Sequence, residues 1–234
     1  MIELAQKKLL VIAPHPDDEV IGCAGLIQRV KEAEGQVFVL FLTVASTNDF
    51  SGRGPSTAEE RVNEIEHVAK LLQFDGWRIA FEGDQFHLKL DQVSQKDIIH
   101  EIERGEKISL EELKPDIVAF PAFEDYNQDH RAAAGAALAA CRPAPPDEKF
   151  RPSVILSYEA PMNSWVHPNT STPINVVIQM SDTMVDQKVK AMSTYASQVR
   201  GPGHPRNEAA LPAFAQLRGS LLGQQCGEGF YCPQ

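Results

Sequence analysis

KLLVIAPHPDDEVIGCAGLI, residues 8–27, is the stretch on which the reading of this chain turns. Lys8 to Ala13 is a short unbroken apolar run, as expected of a strand buried on both faces of a parallel sheet, and it stops at Pro14. From Ile21 to Glu34 the apolar positions Ile21, Ala24, Ile27 and Val30 recur at helical spacing, with Gly35 as the stop. Val37 to Thr43 (VFVLFLT) is a second buried strand in pattern. Strand, helix and strand with short joints make a βαβ unit, for which a right-handed crossover is expected.

The alternation continues outward from there. Ala45 to Ser56 carries turn residues, and Ser56 with Glu59 predicts a capping box for a helix reaching Leu72. Arg78 to Phe81 reads as a strand, Ser94 to Glu103 as a helix, Ile117 to Phe120 as a strand and His130 to Cys141 as a helix. The proline-rich, charged stretch Arg142 to Pro152 reads as a surface connection, because strand-like VILSYE follows at once. Ile174 to Gln179 looks like a strand, Ser181 an N-cap for a helix through Tyr195, and GPGHP from Gly201 an exposed loop. The expected fold is α/β, a Rossmann-like three-layer arrangement with a mainly parallel sheet and a less regular C-terminal third, in one domain over residues 1–234.

Composition narrows the function classes. With 234 residues and 43% hydrophobic side chains the chain is long enough to bury a core without staples. A formal charge of −10 leaves no large basic surface for a phosphate backbone, so nucleic-acid binding is disfavoured and a small-molecule partner is expected. The run Leu9 to Ala13 is too short for a signal sequence or a bilayer span, which predicts a cytoplasmic protein without membrane attachment. Cys23, Cys141, Cys226 and Cys232 form no CxxC pair, and packing roles are expected in preference to a Cys226–Cys232 bridge.

The chemistry concentrates after two of the strands, where ligands bind in open parallel sheets. In PHPDDE, His15 and Asp18 are three apart, so an imidazole nitrogen and a carboxylate oxygen can converge on one ion, and the pairing suits zinc. Asp17 between them stays free to take a proton from a polarised water. Acids at a helix start can instead serve the helix dipole, but that does not account for a proline-flanked histidine in front of them. After IVAF comes PAFEDYNQDHRAA, which brings His130 to the same sheet edge as the third ligand of an open metal site, with Asp129 placed to orient a neighbouring imidazole.

These segments resemble the LmbE-like/PIG-L de-N-acetylases. PHPDDEVIGCAGLI resembles the HPDDE segment of that family, DHRAA the end of its HxDH element, AEERVNEIEHVAKLL its RxxE helix and KVKAMSTYASQ its KxxAxxxYxSQ helix. The resemblance implies a zinc-dependent hydrolase that removes acetyl groups from N-acetylglucosamine-type amides, with His15, Asp18 and His130 on the metal and Asp17 as general base. Some members are homo-oligomers. The first histidine of HxDH, held to assist the tetrahedral intermediate or protonate the amine, is Asn127 here, which donates a hydrogen bond but is no acid. The favoured reading is that protonated Asp17 returns its proton; His167 and His204 are the other candidate donors, and an attenuated activity is the third option.

Arg53 and Arg61 are candidates for a substrate hydroxyl or phosphate, against a solvated loop cation for Arg53 and a helix salt bridge for Arg61. Trp165 is the candidate crevice wall, while Trp77 is expected in the core and His67, His87 and His100 in surface or packing roles. Three rivals remain: an amidase on another N-acyl or thiol-conjugate substrate, an inactive metal-binding relative, and a nucleotide-binding Rossmann protein. The last is disfavoured because the first strand is followed by HPDDE and not GxGxxG.

Overall fold

The structure is a computed structural model, and it describes residues 2–47, 54–159 and 173–233. Strands β1 (Lys8–Ala13), β2 (Gln36–Val44), β3 (Gly76–Glu82), β4 (Ile117–Pro121) and β5 (Val154–Tyr158) pair in parallel. Strands β6 (Val176–Met180) and β7 (Cys226–Tyr231) complete the sheet, with β7 antiparallel to both β5 and β6. The order across the sheet is β3-β2-β1-β4-β5-β7-β6. Helices α1 (Asp18–Glu32), α2 (Ala58–Leu71), α6 (Asp182–Thr194) and α7 (Ala210–Ser220) feed the core on one face. Helices α3 (Gln95–Arg104), α4 (Leu110–Leu113) and α5 (Gln128–Ala140) feed the core on the other. The unbroken apolar run of β1 divides between them: Leu9, Val11 and Ala13 enter the first core, Leu10 and Ile12 the second. No helix among the described residues is long and apolar enough to cross a membrane.

Several element boundaries shift by a residue or more from expectation, α5 starting at Gln128 and not His130, and two helix starts show the physical reason. Helix α1 begins at Asp18, not Ile21, because Asp18 and Glu19 form its first turn. The capping box is Thr57 with Glu60, one residue later than Ser56 with Glu59: the Thr57 side chain accepts from the Glu60 N–H at 3.1 Å, and Glu60 Oε2 accepts from the Thr57 N–H at 2.7 Å. Ser56 is otherwise engaged, exchanging main-chain bonds with Thr47 at 2.9 Å in both directions. The C-terminal third breaks the parallel alternation and contains two elements not anticipated, α7 and β7.

The topology positions the site. From β1 the chain steps outward to β2 and β3, then returns to β4 on the opposite flank of β1. The segments leaving β1 and β4 therefore diverge, and a crevice opens between them at the strand ends. Helix α1 carries the first of these segments and is buried along nearly its whole length. Gly22 lets it lie against Tyr158, whose ring atoms occupy the space a Cβ would need and whose hydroxyl donates to the Ile12 carbonyl at 3.0 Å. Gly22→Ala is expected to lower stability by about 1–3 kcal/mol through overpacking. Denaturant titration checks this as a lower midpoint at unchanged slope; an unchanged midpoint would mean that the Tyr158 ring can yield.

Helix α1 is also gripped from the sheet by a buried ion pair. Lys188 Nζ lies 2.6 Å from Glu228 Oε1 and donates to the Ile21 carbonyl at 2.7 Å. The same Glu228 accepts from the N–H groups of Gly25 at 3.1 Å and Leu26 at 2.9 Å. A charge pair this buried needs its remaining donors and acceptors met, and the middle of α1 supplies them.

Candidate metal centre

The loop after β1 is held from three sides before it delivers any side chain to the crevice. Thr43 on β2 donates to the Pro14 carbonyl through its N–H (3.0 Å) and its hydroxyl (3.2 Å). Arg61 on α2, 1% exposed, directs its guanidinium at the carbonyls of Ala45 (3.3 Å) and Pro16 (3.5 Å). Glu19 Oε2 accepts from the Asp17 N–H at 3.1 Å, and the Tyr195 hydroxyl lies 2.6 Å from Glu19 Oε1. Burial, with the charge of Asp17 adding to it, pushes the Glu19 carboxyl up to about 8 against the Tyr195 hydrogen bond.

Asp17 itself is the strained point. It occupies the N-cap of α1 at φ 114°, in the left-handed region, and its side chain makes no capping bond. Such a conformation in a residue other than glycine costs on the order of 1–3 kcal/mol. It turns the carboxylate away from the helix it would otherwise cap, and Asp17 lines the crevice.

One residue on, Asp18 Oδ2 lies 3.5 Å from His15 Nδ1 and 3.2 Å from His130 Nε2, and it accepts from the His15 N–H at 2.9 Å. One ligand atom from each of His15, Asp18 and His130 lies within 4.8 Å of the others, all three residues being buried. The second nitrogen of each ring is held by its own carboxylate. His15 Nε2 lies 2.9 Å from Asp129 Oδ2, and His130 Nδ1 lies 2.5 Å from Asp125 Oδ2. Two imidazole nitrogens and one carboxylate oxygen, each ring backed by an outer acid, is the donor chemistry of a zinc or related first-row site.

Electrostatics agree with that fit. Burial opposes the charge of Asp18, but the two imidazoles outweigh it and hold the carboxyl below the usual range. Burial likewise opposes a charged His130, yet Asp18 and Asp125 push it up to about 10. The cluster thus draws positive charge into a buried place, and a cation answers that demand as a proton does. Asp17 differs: burial first, and then the Asp18 charge, raise its carboxyl, while Arg206 and Arg61 pull the other way. Arg206 Nη1 stands 3.1 Å from Asp17 Oδ2 as an ion pair whose angles make no hydrogen bond, and the same Nη1 donates to Gln198 Oε1 at 2.9 Å.

The crevice over this cluster encloses about 460 Å³, and Asp17, Arg61, His87, Asn127, Gln198 and Arg206 are among its lining residues. Of the residues singled out from sequence, His15, Asp17, Asp18, Asp129 and His130 meet here. Asn127 is the N-cap of α5, its side-chain oxygen accepting from the Asp129 N–H at 2.9 Å. Arg61 forms part of the floor, its Nη atoms turned to main-chain carbonyls. Arg53, Trp165 and His167 lie outside the described residues. His204 is half-buried, accepts from the Arg206 N–H through Nδ1 at 3.0 Å, and lines a separate groove along α7.

Sequence reading missed four participants. Asp125 had a local signal, an acid five residues before His130 in an already acidic segment. Gln198 lay in the YASQ stretch but had no assigned task. Arg206 and His87 had none, and His87 departs from its expected surface or packing role. Its ring meets that of His15 edge to face at a centroid separation of 4.9 Å, and burial, then His15, hold it down to about 3.

Comparisons with known proteins follow the same lines. A diacetylchitobiose deacetylase of Thermococcus kodakarensis is 27% identical over 229 residues, which cover 95% of this chain and 82% of the relative. Among solved structures, the conserved protein TT1542 from Thermus thermophilus superposes with a TM-score of 0.72 at 28% identity, over 97% of this chain and 95% of that one. The N,N'-diacetylchitobiose deacetylase from Pyrococcus horikoshii, solved with its inhibitor MPG, shares the fold at a TM-score of 0.71 and 23% identity, over 97% and 83% of the two chains. The PIG-L family profile, described as GlcNAc-PI de-N-acetylase, matches residues 10–141, more than half of the chain and all of the His15, Asp18 and His130 cluster, and the chain belongs to that family.

Proposed function

We propose that this chain is a zinc-dependent deacetylase that hydrolyses the acetamido group of an N-acetylglucosamine-type small molecule. The observation that carries the reading is the convergence of His15, Asp18 and His130, each imidazole backed by a carboxylate, beside the uncapped carboxylate of Asp17. Family membership and the deacetylase relative point to the N-acetyl amino sugar. A zinc ion held by the three ligands supplies a polarised water and a Lewis acid for the acyl oxygen.

The remaining work falls to the chain. Asp17 takes the proton of the attacking water and passes it to the leaving nitrogen, a task suited to a carboxyl whose burial raises its proton affinity. Arg206, steadied by Gln198, keeps Asp17 Oδ2 oriented between the two transfers. Asp129 and Asp125 fix the tautomers of His15 and His130, so that Nδ1 of the first and Nε2 of the second are the nitrogens that face Asp18.

Chelator-stripped protein is expected to release no amine from N-acetylglucosamine or its disaccharide, and to do so once zinc is restored to one equivalent. Fluorescamine detection of the free amine, with metal content measured in parallel, makes the comparison. Full zinc occupancy with no amine released from either sugar would sink the proposal.

A further inference from the structure

The NQDH segment that carries His130 begins with Asn127, a side chain with no imidazole to offer a reacting carbonyl. The structure also shows what Asn127 does instead. Its side-chain oxygen is committed to capping α5 through the Asp129 N–H. Among the described residues the imidazoles lining the crevice are those of His15 and His87. His15 is occupied at both nitrogens, facing Asp18 and Asp129. His87 is not: its Nδ1 is buried and has no hydrogen-bond partner. That nitrogen is sealed from the crevice and is best tolerated as the bare nitrogen of a neutral ring, which puts the ring N–H on Nε2 while the ring itself lines the crevice beside His15.

The turn bearing His87 is built onto the NQDH segment. The Gln128 amide donates to the Leu88 carbonyl at 2.8 Å, and the Leu90 N–H donates to Asp129 Oδ1 at 2.9 Å. Asp129 therefore holds His15 with one oxygen and the His87 turn with the other. Leu88 adopts φ 55°, a left-handed conformation that a leucine rarely takes and that these two bonds maintain. A turn after β3 is thereby fastened to the helix start that carries Asn127 and His130.

We propose that His87 donates an Nε2–H hydrogen bond to the acyl oxygen of the bound N-acetyl group as that oxygen gains negative charge. No proton changes hands in this contact; the proton of the water still travels by way of Asp17. The proposal rests on the deacetylase reading and adds a catalytic residue to it. It places at the reacting carbonyl an imidazole that Asn127 cannot offer.

The test compares wild type, His87→Ala and His87→Gln after zinc reconstitution. His87→Ala is expected to lower kcat about 100-fold, as loss of one oxyanion donor does, with KM and zinc stoichiometry unchanged. His87→Gln, which retains an N–H donor, is expected to fall between the two. A methylphosphonamidate analogue of the N-acetyl sugar, whose phosphoryl oxygen stands where the charge develops, should lose about 100-fold in affinity for His87→Ala while product affinity stays constant. Activity of His87→Ala within about threefold of wild type overturns the assignment, as does loss of zinc in step with activity, which would make His87 a prop of the metal cluster. A zinc-loaded wild type that hydrolyses no N-acetyl sugar overturns the deacetylase reading, and the role of His87 with it.

Discussion

Asp17→Asn is expected to keep a full equivalent of zinc while kcat falls by about three orders of magnitude, within the range spanned by general acid–base catalysis. Asparagine suits the backbone here, since it tolerates the left-handed φ of 114° at least as well as aspartate, so folding is not the casualty. What disappears is the ability to take a proton from water and return it to nitrogen. Asp18→Ala should behave differently. Asp18 Oδ2 faces both His15 and His130, and without it two buried imidazoles lose the negative charge that makes a cation welcome. Zinc and turnover are then expected to go together. Metal analysis after dialysis, alongside single-turnover kinetics, separates the two variants. Equal zinc loss in both would contradict the division of roles between these adjacent acids.

Lys188→Met is expected to lower stability by about 3–5 kcal/mol, a large share of what a folded domain has in hand. Both members of the Lys188–Glu228 pair are 5% exposed, so removing the cation leaves a carboxylate buried without its counter-charge and the Ile21 carbonyl without its donor. The double variant Lys188→Met/Glu228→Gln should recover part of the loss, because the glutamine oxygen can still accept from Gly25 or Leu26 with no stranded charge. Urea unfolding of both singles and the double measures the coupling. Strict additivity would show that the pair contributes through packing alone.

How legible was this molecule in its sequence? The βαβ opening was, because a strand buried on both faces must be apolar at every position, and such a run needs no partner to be recognised. The start of α1 was misplaced because Asp18 was read as a site acid, when with Glu19 it also forms the first turn. Around the second helix two frames of the same capping pattern overlap, and a bridge between Ser56 and Thr47 chooses the later one. That His15, Asp18 and His130 would come together was legible because they flank strand ends in compact, chemically dense segments. Strand β7 was not: CGEGFY has no apolar alternation, and its Glu228 is buried where Lys188, 40 residues away, and the Gly25 and Leu26 N–H groups of α1 meet it. His87 and Arg206 reach the site by long-range packing that leaves no local trace.

The place of β7 also bears on how the chain must fold. It follows every other strand in sequence, yet it lies inside the sheet, between β5 and β6. Within the sheet β6 pairs with β7, so it has no strand to join until the chain beyond residue 225 has been synthesised. The parallel half can assemble as the ribosome releases it, whereas closure of the sheet waits for these late, non-local pairings. Until then α1, and with it Asp17 and Asp18, lacks the clamp from Glu228. Asp17 and Asp18 are translated early, but the helix that starts with them is locked last.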